Sequence, residues 1–306
     1  MPMMQQAASR SIVVIRPGAL GDAIVTVPAL ESLAAAGARV AAVGHGAFRL
    51  AADCGLAADS IAFDDARLLR LFAEGGACEL FAGFELAIAY TRGADPLLAE
   101  NLRRSGVGRV VCWPASPEAG VHIADHLLGA LDAAGIAPAT RRPSLPPQDG
   151  WVESARAWLA ASGVRGAFVA VHPGSGGRAK RWPAERFAEL CRALPCRAVW
   201  LLGPAEAEDV EAIELGRSVG VVARELPLAT LAGLLATCNA YVGNDSGVTH
   251  LAAAVGAPTV AVFGPTDPAV WAPRGRQVEV VGGPQWPSAA QVAATLRPFL
   301  SPAAPR

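Results

Sequence analysis

Short apolar runs alternate with stretches of helical periodicity along most of the chain. In the first half the apolar runs have the length of buried strands and lie at 11–15, 39–43, 84–90 and 107–113. Helical spacing separates them at 29–36, 47–53 and 122–134. Such alternation predicts a parallel sheet covered on both faces by helices.

The second half repeats the pattern after a break. Residues 141–150 contain three prolines and end in glycine, which favours a linker over a helix or a central strand. Predicted strands follow at 168–171, 198–202, 240–242 and 258–263, with helices at 184–194, 228–236, 248–255 and 289–300. We therefore expect two doubly wound α/β domains, 1–145 and 146–285, and a C-terminal helix and tail, 286–306, that crosses back to the first domain.

Composition supports a globular chain with a large core. Hydrophobic residues make up 52% and charged residues 17% of the sequence, which argues against disorder. Mean hydropathy is +0.33, but the most apolar stretch, 248–263, is interrupted by His250, Gly256 and Pro258 and is too short to span a bilayer. With a polar N-terminus and no signal-peptide pattern, we expect no transmembrane segment and cytoplasmic residence.

Cysteine spacing and charge exclude several classes of protein. The six cysteines form no CxxC pair, so we expect reduced core residues and no zinc or disulfide framework. Residues 1–150 carry a net charge of −3 and residues 151–306 carry +2. Neither half is basic enough to predict nucleic-acid binding.

The turn 172–183, HPGSGGRAKRWP, contains the only lysine of the chain, Lys180. A compact ammonium on a flexible stem suits one phosphate oxygen, whereas a guanidinium is a wide planar fork. The alternative is that the chain simply favours arginine. No GxxxxGK[ST] or GxGxxG pattern occurs, so the turn does not indicate ATP hydrolysis or dinucleotide binding. Trp182 is interpreted as a core aromatic rather than a stacking partner.

A second glycine turn, RPGALGD, spans 16–22 and follows the first predicted strand. Gly18 and Gly21 permit close backbone approach, and ligands of open parallel sheets bind at the carboxyl ends of strands. Asp22 has two interpretations, a functional carboxylate or a helix N-cap. Pro28 favours a helix that begins at Thr26, which would leave Asp22 unnecessary as a cap.

The third turn, GNDSGVTH, spans 243–250 and lies between a predicted strand and a helix that starts near Ser246. The free amides of Ser246 and Gly247, with the helix dipole, predict an anion site. His250 lies one turn further on the same face, as a ligand contact or as a structural histidine. Asp245 is either part of the site or a helix cap.

Three segments in register resemble glycosyltransferase family 9, which includes the ADP-heptose:lipopolysaccharide heptosyltransferases. They are GALGDAIVTVPAL at 18–30, the Lys180 turn at 172–183, and GNDSGVTHLAAAVGAPTVAVFGPTDP at 243–268. The resemblance covers nearly the whole chain. It implies the GT-B fold, in which two Rossmann-like domains face a cleft, the first binding the acceptor and the second the nucleotide sugar.

The resemblance also implies roles for particular residues. Asp22 matches the family's catalytic base, which takes the proton of the acceptor hydroxyl during an inverting transfer. The donor-binding positions are Lys180 at the diphosphate, Glu206 at the nucleoside ribose, and Asp245, Ser246, Gly247 and His250. The loops around the diphosphate and the catalytic base Asp22 are supplied by Gly18, Gly21, Ser175 and Gly176. The phosphate charge is met by lysine and helix amides, so no metal and no cofactor are implied.

The resemblance predicts a nucleoside-diphosphate sugar, ADP-heptose, as donor and a cell-envelope glycan or glycolipid at the inner membrane face as acceptor. Arg67, Arg70 and Arg92 are candidate acceptor contacts in the first half. Family members that act on a phosphorylated core have a basic N-terminal domain, so the charge of −3 here argues against that acceptor. A sugar-nucleotide epimerase of the same fold and a non-catalytic sugar-nucleotide binder are the alternative functions.

Overall fold

Two parallel sheets organise the chain, one in each of two units, Met1–Pro143 and Ser144–Arg306. The structure is a computed structural model, and it describes residues 10–206 and 209–300. Every strand pair in both sheets is parallel. The alternation of apolar runs and helical periodicity is therefore correctly interpreted as α/β architecture.

The first unit contains five strands and four helices among its described residues. The strands are β1 Ser11–Arg16, β2 Arg39–Gly44, β3 Asp59–Ala62, β4 Leu86–Thr91 and β5 Arg109–Pro114. The helices are α1 Leu20–Ala35, α2 Phe48–Asp53, α3 Pro96–Arg104 and α4 Ile123–Ala134, and 3-10 turns occupy Ala66–Phe72 and Glu79–Phe81. The sheet order is β3-β2-β1-β4-β5, so β1 lies at the centre with buried residues from Ile12 to Arg16.

Helix α1 corrects one expectation from the sequence. It begins at Leu20, not near Thr26, and it contains Pro28. Proline removes one helical hydrogen bond and crowds the preceding turn, but the stretch from Ala23 to Leu30 is continuously buried. Its carbonyl is also used, because Ser32 Oγ donates to Pro28 O at 2.6 Å. Burial of this segment against the sheet outweighs the local preference of proline.

The second unit holds six strands and seven helices in its described part. The strands are β6 Phe168–His172, β7 Arg197–Leu202, β8 Gly220–Arg224, β9 Ala240–Asn244, β10 Thr259–Phe263 and β11 Val278–Gly282. The helices are α5 Asp149–Ala161, α6 Ala184–Arg192, α7 Val210–Val219, α8 Leu228–Thr237, α9 Gly247–Ala254, α10 Pro268–Trp271 and α11 Ala289–Leu300, with a 3-10 turn at Arg178–Lys180. The sheet order is β11-β10-β9-β6-β7-β8.

The segment expected to be a linker only partly lacks regular structure. The two units divide between Pro143 and Ser144, but α5 already begins at Asp149 and packs on α8. The packing is close at Gly233, where an added Cβ would lie 2.0 Å from Trp151 O. A glycine is therefore required where these two helices meet.

The last helix packs on the core of the second unit. Val292 and Leu296 of α11 are fully buried in a core cluster that includes Trp200 of β7. The apolar face of α11 is therefore satisfied within the second unit, and the expected crossing of 286–306 back to the first domain stays a prediction. Residues 301–306 lie outside the described residues.

The cysteines and Trp182 lie in the packed parts of the two units. The six cysteines, all within the described residues, form no disulfide; three are buried and three are half-buried. Burial raises the pKa of the Cys191 and Cys238 thiols to about 12. Trp182 is 1% exposed and packs edge-on against Phe187, as expected for a core aromatic. Within the described residues, no helix has both the length and the apolar character needed to cross a membrane.

Candidate functional site

The order of the strands defines one reversal point in each sheet. In the second unit the chain runs outward from β6 to β8, then returns to the other side of β6 with β9. Ligands of open α/β sheets bind outside the carboxyl ends of strands at such a point. The Lys180 turn follows β6 and the 245–247 turn follows β9, so both predicted donor segments lie at the reversal point of this sheet.

A direct ion pair joins these two turns. Lys180 Nζ lies 2.9 Å from Asp245 Oδ2, and the Asp245 side chain is 7% exposed. Ser175 Oγ donates to the backbone oxygen of Asp245 at 2.7 Å. The ammonium also lies 5.9 Å from the ring centroid of Trp271 in α10. Lys180, Ser175 and Asp245 are therefore brought together, and the lysine side chain is 38% exposed.

Asn244, the last residue of β9, fixes the shape of the Lys180 turn. Its Nδ2 donates to Pro173 O at 2.6 Å, and its Oδ1 accepts the Trp182 backbone N–H at 2.9 Å. One fully buried amide thus ties both ends of the glycine-rich segment to β9. This explains how a turn with three glycines holds a fixed position for its lysine.

Helix α9 begins with the predicted anion-binding geometry. Ser246 is its N-cap, and the helix starts at Gly247. The first amides of such a helix have no carbonyl partner within it and carry a partial positive charge. Ser246 Oγ lies 3.3 Å from His172 Nδ1 and 3.1 Å from Thr249 Oγ1. His250 is buried one turn into the helix.

Glu206 is buried beside the same turn. Its Oε1 lies 3.1 Å from Arg181 Nη2 and its Oε2 lies 3.9 Å from His172 Nε2. Burial raises the pKa of the Glu206 carboxyl, against Arg181 and nearby backbone amides, which lower it. Burial, and secondarily the Arg181 charge, lower the pKa of His172 to about 4. His172 is therefore neutral at pH 7, and the Arg181–Glu206 pair carries the charge.

In the first unit Asp22 lies at the equivalent reversal point. The chain runs from β1 through β2 to β3 and then returns to the other side of β1 with β4. Asp22 is in the first turn of α1, directly after β1. Its Oδ2 accepts the Ala19 backbone N–H at 2.9 Å. The inference that capping by Asp22 is dispensable is therefore wrong, because α1 starts earlier than Pro28 suggested.

Arg16, the last residue of β1, holds the other oxygen of Asp22. Arg16 Nη2 donates to Asp22 Oδ1 at 2.6 Å, and the side chains are 6% and 36% exposed. Burial lowers the pKa of the Arg16 guanidinium, against the Asp22 charge, which raises it. Burial likewise lowers the pKa of the half-buried His45 after β2, and the Asp22 charge again works in the opposite direction.

The glycines predicted around these loops have unequal roles. Gly18 has a φ of +138°, and a Cβ there would come within 2.4 Å of Asp22 Oδ2, so this position requires glycine. Gly174 is equally restricted, since a Cβ would lie 2.4 Å from Glu206 Cδ. Gly21 lies inside the first turn of α1, and Gly176 is exposed with open space around its Cα.

The three arginines proposed for the acceptor fall in two places. Arg92 is exposed and follows β4, so it lies at the same carboxyl edge of the sheet as the Asp22 loop, which follows the neighbouring strand β1. Arg67 and Arg70 lie on the 3-10 turn after the edge strand β3. The Arg67 guanidinium is in a short ion pair with Asp65 and lowers the pKa of that carboxyl to about 2. Topology therefore groups Arg92, but not the other two, with Asp22.

Two charged or polar side chains at these loops, Arg16 and His172, have no role in the sequence-based prediction. The signal that could have found them is position, since both end buried strands. Arg181, which the sequence groups with Lys180 at a phosphate, instead pairs with Glu206. A charged or titratable residue at the end of an otherwise apolar strand needs a partner when it is buried.

The acidic, histidine and cysteine side chains near the two sites are not arranged as a metal centre in the described part of the chain. Among residues 10–206 and 209–300, no group of three or more His, Cys, Asp or Glu side chains is arranged to hold a metal ion. The charges opposite a phosphate in the second unit would come from Lys180 and the amides of α9.

Comparison with known proteins identifies the family of the second unit. Residues 149–298 match the family model of glycosyltransferase family 9 (heptosyltransferase). A stretch of 103 residues is 41% identical to lipooligosaccharide heptosyltransferase 2 of Haemophilus influenzae and covers 30% of this chain and 29% of that protein. This match thus spans less than a third of the relative's length.

Solved structures extend the likeness to both units at the level of fold. A glycosyl transferase family 9 protein from Veillonella parvula has a TM-score of 0.77 at 20% identity, over 95% of this chain and 97% of that one. The E. coli ADP-heptose lps heptosyltransferase II has a TM-score of 0.73 at 19% identity, over 95% and 98%. The predicted fold class, α/β with two Rossmann-like parallel-sheet domains of the GT-B type, is confirmed.

Proposed function

This chain belongs to glycosyltransferase family 9 through residues 149–298, and we propose that it transfers a sugar from a nucleoside-diphosphate sugar to an acceptor hydroxyl. The family description and the names of the relatives favour heptose as the sugar and ADP-heptose as the donor. The proposed acceptor is a cell-envelope glycan or lipid-linked sugar, reached from the cytoplasm at the inner membrane face.

The observation that carries this proposal is the position of Lys180. The only lysine of the chain lies at the reversal point of the second sheet, 2.9 Å from Asp245 and beside the start of α9. A point charge and free helix amides are the groups that bind a diphosphate. They also stabilise the negative charge that the nucleoside diphosphate acquires as it leaves. No metal is required in this scheme.

We assign the role of general base to Asp22. In the proposed reaction the acceptor oxygen attacks the anomeric carbon, the bond from that carbon to the diphosphate breaks, and the hydroxyl proton passes to Asp22. A single displacement inverts the anomeric configuration. Each oxygen of Asp22 already accepts one hydrogen bond, from Arg16 or from Ala19, and a carboxylate oxygen retains a second lone pair for the proton.

The remaining polar groups of the second unit are assigned to the donor. Glu206 and the Ser246 hydroxyl lie on opposite sides of His172, and His250 lies one turn into α9. We propose that Glu206 accepts from the ribose hydroxyls and that Ser246 and Gly247 donate to the diphosphate. Asp245 orients Lys180 through their ion pair.

The test is donor consumption by the purified chain with and without acceptor. A thermal-shift series over ADP-, UDP- and GDP-sugars identifies the nucleotide, because a ligand that binds the folded state raises its melting temperature. Asp22→Asn should keep the donor Kd and lower kcat by about 100- to 10,000-fold. Asp132→Asn, at an exposed carboxylate of α4 in the same unit, is the matched control and should leave kcat unchanged.

The outcomes separate the proposed function from its alternatives. Acceptor-dependent loss of donor, with a glycosylated product, supports transfer. Loss of donor to a sugar isomer without acceptor would instead identify an epimerase. Saturable donor binding with no consumption under either condition would identify a binding protein. Unchanged turnover in Asp22→Asn would remove Asp22 from the role of base.

A further inference from the structure

Arg16 is a buried charge at the centre of the first sheet. It is the last residue of β1, which lies between β2 and β4. The whole residue is 5% exposed. The guanidinium lies 6.0 Å from the ring centroid of Tyr90, and Nη2 also donates to Ala115 O at 3.3 Å. Groups from β4 and from the end of β5 therefore fix the position of this side chain.

Such burial is unfavourable unless the charge has a partner. An arginine remains protonated at any physiological pH, and removal of its charge from water carries a desolvation cost. Its Nε is buried without a hydrogen-bond partner among the described residues. The charge is instead met at Nη2 by Asp22, at 2.6 Å. An apolar residue would fill this position at lower cost if packing alone were needed.

The partner, in contrast, remains accessible. The Asp22 side chain is 36% exposed, while Arg16 is 6% exposed. The Gly18 backbone approaches the same carboxylate closely, since a Cβ added at this position would lie 2.4 Å from Asp22 Oδ2. The Ala19 N–H holds that oxygen and Arg16 holds the other. Asp22 is therefore constrained on its inner side and open on its outer side.

We infer that Arg16 is a positioning residue that sets the orientation of the Asp22 carboxylate toward the acceptor hydroxyl. The inference rests on the proposed function, because it assigns to Arg16 an effect on transfer that acts through Asp22. A buried ion pair on a central strand restricts the carboxylate to one rotamer, and a general base must be held within hydrogen-bond reach of the proton it accepts. Arg16 itself contacts no substrate in this scheme.

The titratable side chains that interact with the Arg16–Asp22 pair include Tyr90 and His45. Tyr90 of β4 lies beneath the guanidinium, and burial raises the pKa of its hydroxyl, so it is neutral. His45, after β2, interacts with the Asp22 charge. In this cluster Arg16 holds an oxygen of Asp22 directly, at 2.6 Å, so its replacement should act on the orientation of that carboxylate.

The experiment replaces Arg16 in the full chain and measures transfer and donor binding separately. Arg16→Met should lower kcat by about 100-fold, because the base is no longer held in place. The donor Kd, which depends on the second unit in this scheme, should stay within about twofold. Arg16→Lys, which keeps the charge on a different geometry, should recover part of the lost rate. Arg16→Gln, which keeps a donor for the Ala115 carbonyl, replaces Arg16→Met where the latter does not fold.

A double-mutant cycle with Asp22→Asn separates positioning from stability. If Arg16 acts through Asp22, Arg16→Met should add less than about twofold to the loss already caused by Asp22→Asn. A merely structural arginine would lower the melting temperature and give the same fold loss of kcat in the wild-type and Asp22→Asn backgrounds, and this result would overturn the inference.

Failure of the inference is distinct from failure of the proposed function. If the wild-type chain transfers sugar and the kcat of Arg16→Met stays within about threefold of the wild-type value, the positioning role is overturned and the proposed function is left intact. A wild-type chain that binds donor but transfers nothing would overturn both. The positioning role of Arg16 is supported by three results together: loss of kcat in Arg16→Met, partial recovery in Arg16→Lys and non-additivity with Asp22→Asn.

Discussion

Lys180 Nζ and Asp245 Oδ2 lie 2.9 Å apart although 65 residues separate them in the chain. The pair spans the reversal point of the second sheet, from the turn after β6 to the turn after β9. Asp245 is buried and the lysine side chain is 38% exposed, so the carboxylate holds the ammonium while part of the lysine side chain faces solvent. The lone lysine is thus part of an organised arrangement and not simply a surface residue.

The first prediction concerns this lysine. Lys180→Arg should weaken ADP or nucleotide-sugar binding by about tenfold, because a guanidinium cannot occupy the site of a compact ammonium opposite Asp245. Isothermal titration calorimetry with ADP measures the change. Arg178→Lys, at an exposed position in the same 3-10 turn, is the control and should bind like the wild type. Wild-type affinity in Lys180→Arg would mean that the single lysine reflects composition alone.

A second prediction uses the close approach of Gly174 to Glu206. An alanine Cβ at 174 would lie 2.4 to 2.6 Å from three carboxylate atoms of Glu206, so Gly174→Ala must displace that side chain. We expect the donor Kd to rise by about tenfold and the melting temperature to fall by about 4 °C. Gly203→Ala is the matched control, because its Cβ would meet Glu206 Oε2 at 3.5 Å, an ordinary contact. Equal donor Kd values for Gly174→Ala and Gly203→Ala would show that Glu206 does not contribute to donor binding.

The sequence predicted the central strands well, because residues buried on both faces of a parallel sheet form continuous apolar runs. β6, β9 and β10 are buried throughout and were found at nearly their observed bounds. The edge strands β3 and β11 were not predicted, since each is largely half-buried or exposed. Their pairing depends on a neighbouring strand, which no local pattern records.

The candidate site was predicted as loops but not as contacts. The turns around Asp22, Lys180 and Asp245 carry local signals, namely glycines between a strand and a helix. The Lys180–Asp245 pair and the Arg181–Glu206 pair join distant segments, and only the strand order brings them together. Pro28 misled the prediction, because burial along α1 is a tertiary effect that overrides local helix propensity.

A third prediction concerns pH and His172. Burial and Arg181 lower the pKa of His172 from 6.5 to about 4, so the unfolded chain binds a proton in this range that the folded chain does not. This contribution to stability is complete above pH 6.5 and is lost as the pH falls toward 4, by at most about 3 kcal/mol. Urea denaturation at pH 7 and pH 4.5 measures it.

The control for this pH effect is His172→Gln, which has no titrating group at the position. It should be less stable than the wild type at pH 7 and should lose less stability between pH 7 and pH 4.5. Glu206 acts in the opposite direction, because its raised pKa favours the folded chain as the pH falls toward the carboxyl range. An identical loss in wild type and His172→Gln would assign the acid sensitivity to other groups.

The last prediction ranks the arginines of the first unit by topology. Arg92 follows β4 at the reversal point that also holds the Asp22 loop, whereas Arg67 lies after the edge strand β3 and is neutralised by Asp65. Arg92→Ala should raise the acceptor KM by about tenfold, since an exposed cation at the sheet edge that carries the Asp22 loop is placed to bind acceptor polar groups. Arg67→Ala should change it by less than about twofold, because its guanidinium is already committed to a surface ion pair. Initial rates at saturating donor give both values, and a larger effect of Arg67→Ala than of Arg92→Ala would move the acceptor site away from the reversal point toward the 3-10 turn at Ala66–Phe72.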